Sequence, residues 1–145
     1  MIKIDNCSPE EVKKVQKISY ENKEYLGFIM PAVFTQAQKD NTLLVMKYED
    51  EVIGFCLFNY RKKKRSTFIS QICMVNEWRG NNLGKMFLDY LPRPIVLWCD
   101  TKNFSNRFYE KNGFKLILVK DFGDHKRNQW FLGEATTKQK KLFDY

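Results

Sequence analysis

The stretch EWRGNNLGKMF, residues 77–87, sets a glycine- and asparagine-rich turn between an apolar run and a helix-like one. A strand that feeds straight into a helix leaves several backbone N–H groups pointing outward, and the helix dipole adds positive potential there. That combination binds phosphate. Gly80 and Gly84 let the backbone turn and approach a ligand closely, and Arg79 and Lys85 add charge beside it. Two common phosphate loops do not fit. A Walker loop requires Gly-x-x-x-x-Gly-Lys-Ser/Thr, whereas three residues separate Gly80 from Gly84 and Met86 follows Lys85. A dinucleotide fingerprint requires Gly-x-Gly-x-x-Gly at the start of a βαβ unit, whereas residue 82 is Asn and the turn follows a series of antiparallel-type strands.

Other chemistries are poorly provided for. The cysteines are Cys7, Cys56, Cys73 and Cys99, with no Cys-x-x-Cys pair, and His125 is the single histidine, so a zinc site built from Cys and His is not expected. Cys56, Cys73 and Cys99 lie in apolar runs and read as buried, reduced thiols. A Ser-His-Asp or Cys-His centre would depend on His125, which sits in a polar turn. The formal charge of +8 favours polyanionic partners: nucleic acid, ribosome, anionic membrane or a polyphosphate cosubstrate. No apolar run is long enough to span a membrane, and MIKIDNCSPEE lacks the apolar core of a signal peptide. The expectation is a soluble, cytoplasmic, basic protein with no membrane association.

The elements that must position the turn follow from periodicity. MIKI reads as a short strand. SPEEVKKVQKISYENKEY opens on a Ser cap with Pro at the first helical position and two acids in the first turn, and Val12, Val15 and Ile18 form its apolar stripe. A second short helix is expected from Pro31 to about Asp40. TLLVMKY (42–48) and VIGFCLFNY (52–60) read as a hairpin, and STFISQICMV (66–75) as a third long strand after the RKKKR connection. NNLGKMFLDYL (81–91) reads as a helix ended by LPRP, IVLWC (95–99) as a buried strand, and NFSNRFYEKNG (103–113) as a helix with Gly113 as its left-handed terminator. FKLILV (114–119) and QWFLGE (129–134) close the series around a polar turn, and the basic tail TTKQKKLFDY follows. The result is one α/β domain over 1–145: a mixed sheet of about seven strands with helices on both faces, in the order β-α-α-β-β-β-α-β-α-β-β.

Two segments together resemble a known family. Arg79-Gly80-Asn81-Asn82-Leu83-Gly84 is similar to the Gln/Arg-x-x-Gly-x-Gly/Ala loop of the GNAT superfamily of N-acetyltransferases, with Asn82 in place of a usual Gly. Asn tolerates positive φ better than most residues. NFSNRFYEKNGF (103–114) resembles the family's second signature, Asn-x-x-Ala-x-x-(Phe/Leu)-Tyr-x-Lys-x-Gly-Phe. Phe108 through Phe114 match it, Ser105 replaces the Ala, and Asn103 falls one position late. The resemblance extends over nearly the whole chain.

That resemblance implies an acetyl-CoA-dependent N-acetyltransferase in which a primary amine attacks the thioester directly. Arg79, Gly80, Asn81, Asn82, Leu83, Gly84 and Lys85 would cradle the pyrophosphate. The pantetheine arm would lie like an extra strand along Cys73 and Val75, with a backbone N–H near Met74 as oxyanion donor. Asn103, Ser105 and Tyr109 would also face the coenzyme, with no metal involved. Tyr109 would protonate the departing thiolate, since a phenol holds its proton at neutral pH. Ser70 and Gln71 stand where some relatives carry a glutamate base, so the base is open among Asp100, Glu21, Glu24 and His125, with Asp100 best placed at a strand end. The Arg61–Arg65 turn begins a strand whose far end is the loop, roughly 30 Å away at strand rise, so it would contact nucleic acid or ribosome rather than coenzyme phosphate. Three functions stay open: an N-acetyltransferase acting on aminoacyl-tRNA, a ribosomal protein or a nucleic-acid-associated protein; a Mom-like, phage-type DNA or RNA base modifier; and a non-catalytic coenzyme A-binding module. The oligomeric state is open between monomer and homodimer.

Overall fold

The structure is a computed structural model that describes residues 1–133. Its strands are β1 (Ile2–Asn6), β2 (Leu43–Tyr48), β3 (Glu51–Arg61), β4 (Ser66–Met74), β5 (Ile95–Asp100), β6 (Lys115–Asp121) and β7 (Lys126–Leu132). Its helices are α1 (Val12–Glu21), α2 (Lys23–Leu26), α3 (Pro31–Lys39), α4 (Gly84–Tyr90) and α5 (Asn106–Lys111). The strands form one seven-stranded sheet in the order β1-β2-β3-β4-β5-β7-β6. Pairing of β4 with β5 is parallel, and β1–β2, β2–β3, β5–β7 and β6–β7 are antiparallel, so the sheet is mixed as the sequence indicates.

Element boundaries differ from the sequence reading for local reasons. The first helix is split: Pro9–Glu11 forms a 3₁₀ turn, with the Ser8 N–H held by Glu11 Oε1 at 2.9 Å, and Asn22 leaves helical geometry and bonds Ile18 O through Nδ2 at 2.8 Å. That side-chain bond competes with the helical ladder and separates α1 from α2. The fourth helix starts at Gly84 rather than Asn81, because Asn82 has φ 56°, outside the right-handed helical region. The fifth starts at Asn106 rather than Asn103, because Asn103 Oδ1 takes the Ser105 N–H at 2.8 Å in a side-chain-closed turn. Gly113 does sit at φ 90° just beyond α5. Glu134 and the basic tail lie outside the described residues.

The chain divides into two compact units. The first comprises Met1–Phe58 and Ser70–Tyr90. Its core gathers Val12, Val15 and Ile18 from α1, Phe34 and Ala37 from α3, and Leu43, Val45, Val52, Phe55 and Leu57 from β2 and β3. The apolar face of α1 is the Val12/Val15/Ile18 stripe, and each such side chain withdrawn from water contributes about 1.5–3 kcal/mol. Phe34 meets Phe55 edge-to-face at 5.8 Å. Gly54 in β3 is required by close approach: a Cβ there would lie 2.5 Å from Met74 Sδ and 2.8 Å from Cys73 O. The second unit comprises Asn59–Ile69 and the chain from Leu91 onward. It holds β5, α5 and the β6–β7 hairpin, with Leu97, Tyr109, Phe114, Trp130 and Leu132 buried.

Candidate active site

In the first unit, β4 delivers the chain to the loop. Cys73 is buried, and the 3₁₀ turn Asn76–Trp78 is anchored by Trp78 packing on Tyr48 at 5.1 Å. Gly80 has φ 86° with open space where a Cβ would stand, and Asn82 has φ 56°. Two left-handed residues thus flank Asn81, and the asparagine reproduces the backbone state the usual glycine would supply. Gly84 is buried at the start of α4, while Lys85 is exposed and Leu83 half-buried. Gly80, Asn81 and Asn82 are exposed residues.

Arg79 turns inward, toward the end of β4 and α2. Its Nε donates to Met74 O at 3.0 Å, its Nη2 donates to Asn22 Oδ1 at 2.8 Å and to the Tyr25 hydroxyl, and its guanidinium stands 5.0 Å from the Tyr25 ring centroid. The Tyr25 hydroxyl is 3.2 Å from Cys73 Sγ. Gln71 extends the tie: it accepts from Ser19 Oγ at 2.7 Å and donates to Gly27 O at 3.0 Å. Together these bonds fasten the end of α1 and all of α2 to β4 and to the loop. Burial pushes the Tyr25 hydroxyl up, with the Cys73 contact adding to it. Burial also pushes the Cys73 thiol up, against the lowering effect of Tyr25 and Arg79, so the thiol stays protonated. The Val75 N–H donates to Ile53 O at 2.8 Å, which ties the end of β4 to β3.

In the second unit, β5 ends at Asp100 and a tight turn leads into α5. Asp100 Oδ1 accepts the Lys102 N–H at 2.9 Å. Asn106 is the hub here, and the sequence reading missed it. Its Nδ2 donates to Asp100 O at 2.8 Å and Asn103 O at 2.7 Å, and its Oδ1 accepts from Trp130 Nε1 at 2.8 Å and Asn128 Nδ2 at 3.0 Å. One amide therefore joins the end of β5, the start of α5 and β7. The signal available in the sequence was only a polar residue at a variable position of the second signature. Tyr109 is buried, among Phe114 at 5.3 Å, Phe108 at 5.5 Å and Trp130 at 6.4 Å.

A cavity of about 360 Å³ opens beside Asp100, lined by Thr101, Lys102, Asp121, Asp124, His125 and Lys126 among others. It brings together two of the four candidate bases, Asp100 and His125. His125 Nδ1 lies 2.5 Å from Asp124 Oδ1, and the ring stacks on Phe122 at 5.3 Å. His125 Nε2 is enclosed with no hydrogen-bond partner among the described residues. The hydrogen bond from His125 holds the Asp124 carboxyl below its ordinary value. The other two candidates, Glu21 and Glu24, are exposed at the end of α1 and in α2. All four cysteines are buried and free. Burial pushes Cys7 and Cys99 up to about 12, with neighbouring carboxylates adding to it, and Cys56 rises for burial alone. Among the described residues no group of His, Cys, Asp and Glu is arranged to hold a metal ion, and no helix is long and apolar enough to cross a membrane.

A parallel β4–β5 pair, a glycine-containing loop opening the helix after β4 and a tyrosine-bearing helix after β5 make up a mixed α/β arrangement. The profile of the acetyltransferase (GNAT) domain matches residues 39–116, more than half of the chain, and the chain belongs to that family. A curated relative, the 5-NmdU N-acetyltransferase of Pseudomonas phage PaMx11, is 25% identical over 122 residues, covering 79% of this chain and 87% of that protein. Among solved structures, Ard1 from Thermoplasma volcanium superposes with a TM-score of 0.79 at 15% identity, covering 93% of this chain and 99% of the other. Arabidopsis thaliana Naa50, bound to the bisubstrate analogue CoA-Ac-MVNAL, superposes with a TM-score of 0.69 at 14% identity, covering 90% and 97%. The activity class is N-acetyl transfer.

Proposed function

We propose that this N-acetyltransferase takes its acetyl group from acetyl-CoA and places it on a primary amine carried by a nucleic-acid base. The observation that carries the acceptor is the similarity to the 5-NmdU N-acetyltransferase of Pseudomonas phage PaMx11, aligned over 79% of the chain. Two features support it. The net charge is +8, and residues 61–65 present Arg61, Lys62, Lys63, Lys64 and Arg65 on a fully exposed turn. Such a turn gains affinity for a phosphate backbone by releasing counterions.

In this reading the exposed backbone of Gly80, Asn81 and Asn82 and the start of α4 hold the diphosphate, with Lys85 neutralising it from outside. Arg79 is the brace that keeps the loop shaped, since its donors go to Met74 O, Asn22 and Tyr25. The coenzyme supplies an activated acetyl thioester. The attacking amine must be neutral, and Asp100 or His125 takes its proton, directly or through water. Backbone near Met74 stabilises the oxyanion, and the Tyr109 hydroxyl returns a proton to the departing thiolate. Asn103 and Ser105 shape the turn ahead of Tyr109.

The test incubates the protein with acetyl-CoA and, in parallel, an oligonucleotide containing 5-NmdU, an unmodified oligonucleotide and a peptide with a free N-terminus. Mass spectrometry should find acetyl on the modified base only, with yield falling steeply as salt rises. Acetylation of the peptide alone would replace the nucleic-acid acceptor with a protein one. Absence of thermal stabilisation by saturating acetyl-CoA would remove the donor.

A further inference from the structure

The sheet has two edges of opposite character. β1 is five residues long, its isoleucines are half-buried, and its exposed positions are Lys3, Asp5 and Asn6. A short strand with outward charges resists further pairing. β6 is seven residues long, all seven are exposed, and the sheet order gives it β7 on one side and no described strand on the other. Its centre is four consecutive hydrophobes, Leu116, Ile117, Leu118 and Val119, each between 44% and 53% exposed. The β6–β7 register slips by one between Leu116 and Leu118, so Ile117 has no opposite number on β7. Among the described residues this edge is open, and a run of this kind there is an interaction surface, because both its backbone groups and its side chains face outward from the sheet.

We propose that β6 is the contact strand of a two-fold homodimer, lying antiparallel against β6 of a second copy of this chain. The charges of KLILVKD select that partner and that direction. Centred on Leu118, an antiparallel pair sets Lys115 opposite the partner's Asp121, and symmetry repeats the match at the other end. The same register places Ile117 against the partner's Val119 and Leu118 against the partner's Leu118. Leu116 lies under the aliphatic stem of the partner's Lys120. A parallel, in-register pair would instead oppose Lys115 to Lys115 and Asp121 to Asp121, which like-charge repulsion disfavours. Among the described residues each chain has one such edge, so the contact is self-complementary and closes at two copies. This inference stands independently of the acceptor.

Sedimentation velocity on the full chain should give twice the 17.4 kDa of one chain at micromolar concentration. Leu118→Lys, which brings two ammonium groups together on the axis, should give a monomer. Lys115→Asp should weaken the dimer by about tenfold, the effect of opposing like charges in two symmetric cross-strand pairs. Adding Asp121→Lys to that variant should restore it. All of these positions are exposed, and circular dichroism checks that each variant folds. A monomeric wild type overturns the proposal, including the case in which residues 134–145 cover β6. An open-ended assembly, or a dimer indifferent to the charge reversals, also overturns it.

Discussion

Each unit is organised around one side chain that bonds three separate stretches of backbone or neighbouring polar groups, and the two hubs are chemically different. In the first unit the hub is Arg79, a cation bonded to Met74 O, Asn22 and Tyr25. In the second it is Asn106, a neutral amide bonded to Asp100 O, Asn103 O, Asn128 and Trp130. A charged hub beside a loop lends its field to that loop while bracing it. A neutral amide that both donates and accepts can join a strand end, a helix start and a second strand without adding a net charge. In the proposed reading, the first unit holds the charged coenzyme and the second carries the Tyr109 phenol.

That division predicts which substitutions separate binding from turnover. Gly84→Asp, which sets a carboxylate at the buried start of α4, should abolish acetyl-CoA binding, read by isothermal calorimetry. Retained binding would remove the loop from the donor site. Tyr109→Phe should lower kcat by about a hundredfold, the lower range for a lost general acid, with coenzyme affinity unchanged. Equal losses in both would mean that the phenol belongs to binding.

Smaller effects test the supports. Asn106→Ala leaves Trp130 Nε1 and Asn128 Nδ2 without their acceptor, and should cost about 1–3 kcal/mol of stability, the cost of a buried unsatisfied group. Its effect on coenzyme affinity should be the smaller one. Asn82→Val should weaken coenzyme binding by about tenfold, because a β-branched residue at positive φ carries about 1–3 kcal/mol of strain. Asn82→Gly should bind as the wild type does.

The smallest effect concerns pH. Burial alone would push the Glu11 carboxyl up, but the Ser8 N–H and Lys47, 3.1 Å away, outweigh it and hold the group below its ordinary value. A depressed carboxylate stabilises the fold above the unfolded pKa, and that contribution is lost as pH falls through the folded value. Wild type should therefore lose up to about 1 kcal/mol more than Glu11→Gln on acidification from pH 5 to pH 3, as exposed ion pairs do.

Much of the fold was legible because its signals are local. Strand runs such as LLVMKY and IVLWC, the Val12/Val15/Ile18 stripe and the Gly113 terminator all appear where periodicity and turn chemistry set them. The candidate site was legible where a backbone requirement leaves a letter behind, as at Gly80 and Asn82. It was not legible where one side chain must choose among partners distant in sequence. Arg79 read as a phosphate-side charge, and only the folded position of Tyr25, 54 residues away, shows where its guanidinium goes. Asn106 falls at a variable position of a motif, and its value depends on β7 arriving 22 to 24 residues later. The exposure of β6 was equally hidden, because LILV has the composition of a core strand.

Asn82 carries a consequence for how such enzymes are recognised. The loop asks for a dihedral angle at this position, and glycine is only the commonest way to meet it. A search pattern that demands the letter Gly would pass over this chain, whereas one that accepts any residue at ease with positive φ, asparagine first, would retain it. Proteins whose fingerprints look degraded at such a site are therefore worth scoring by the backbone each residue permits.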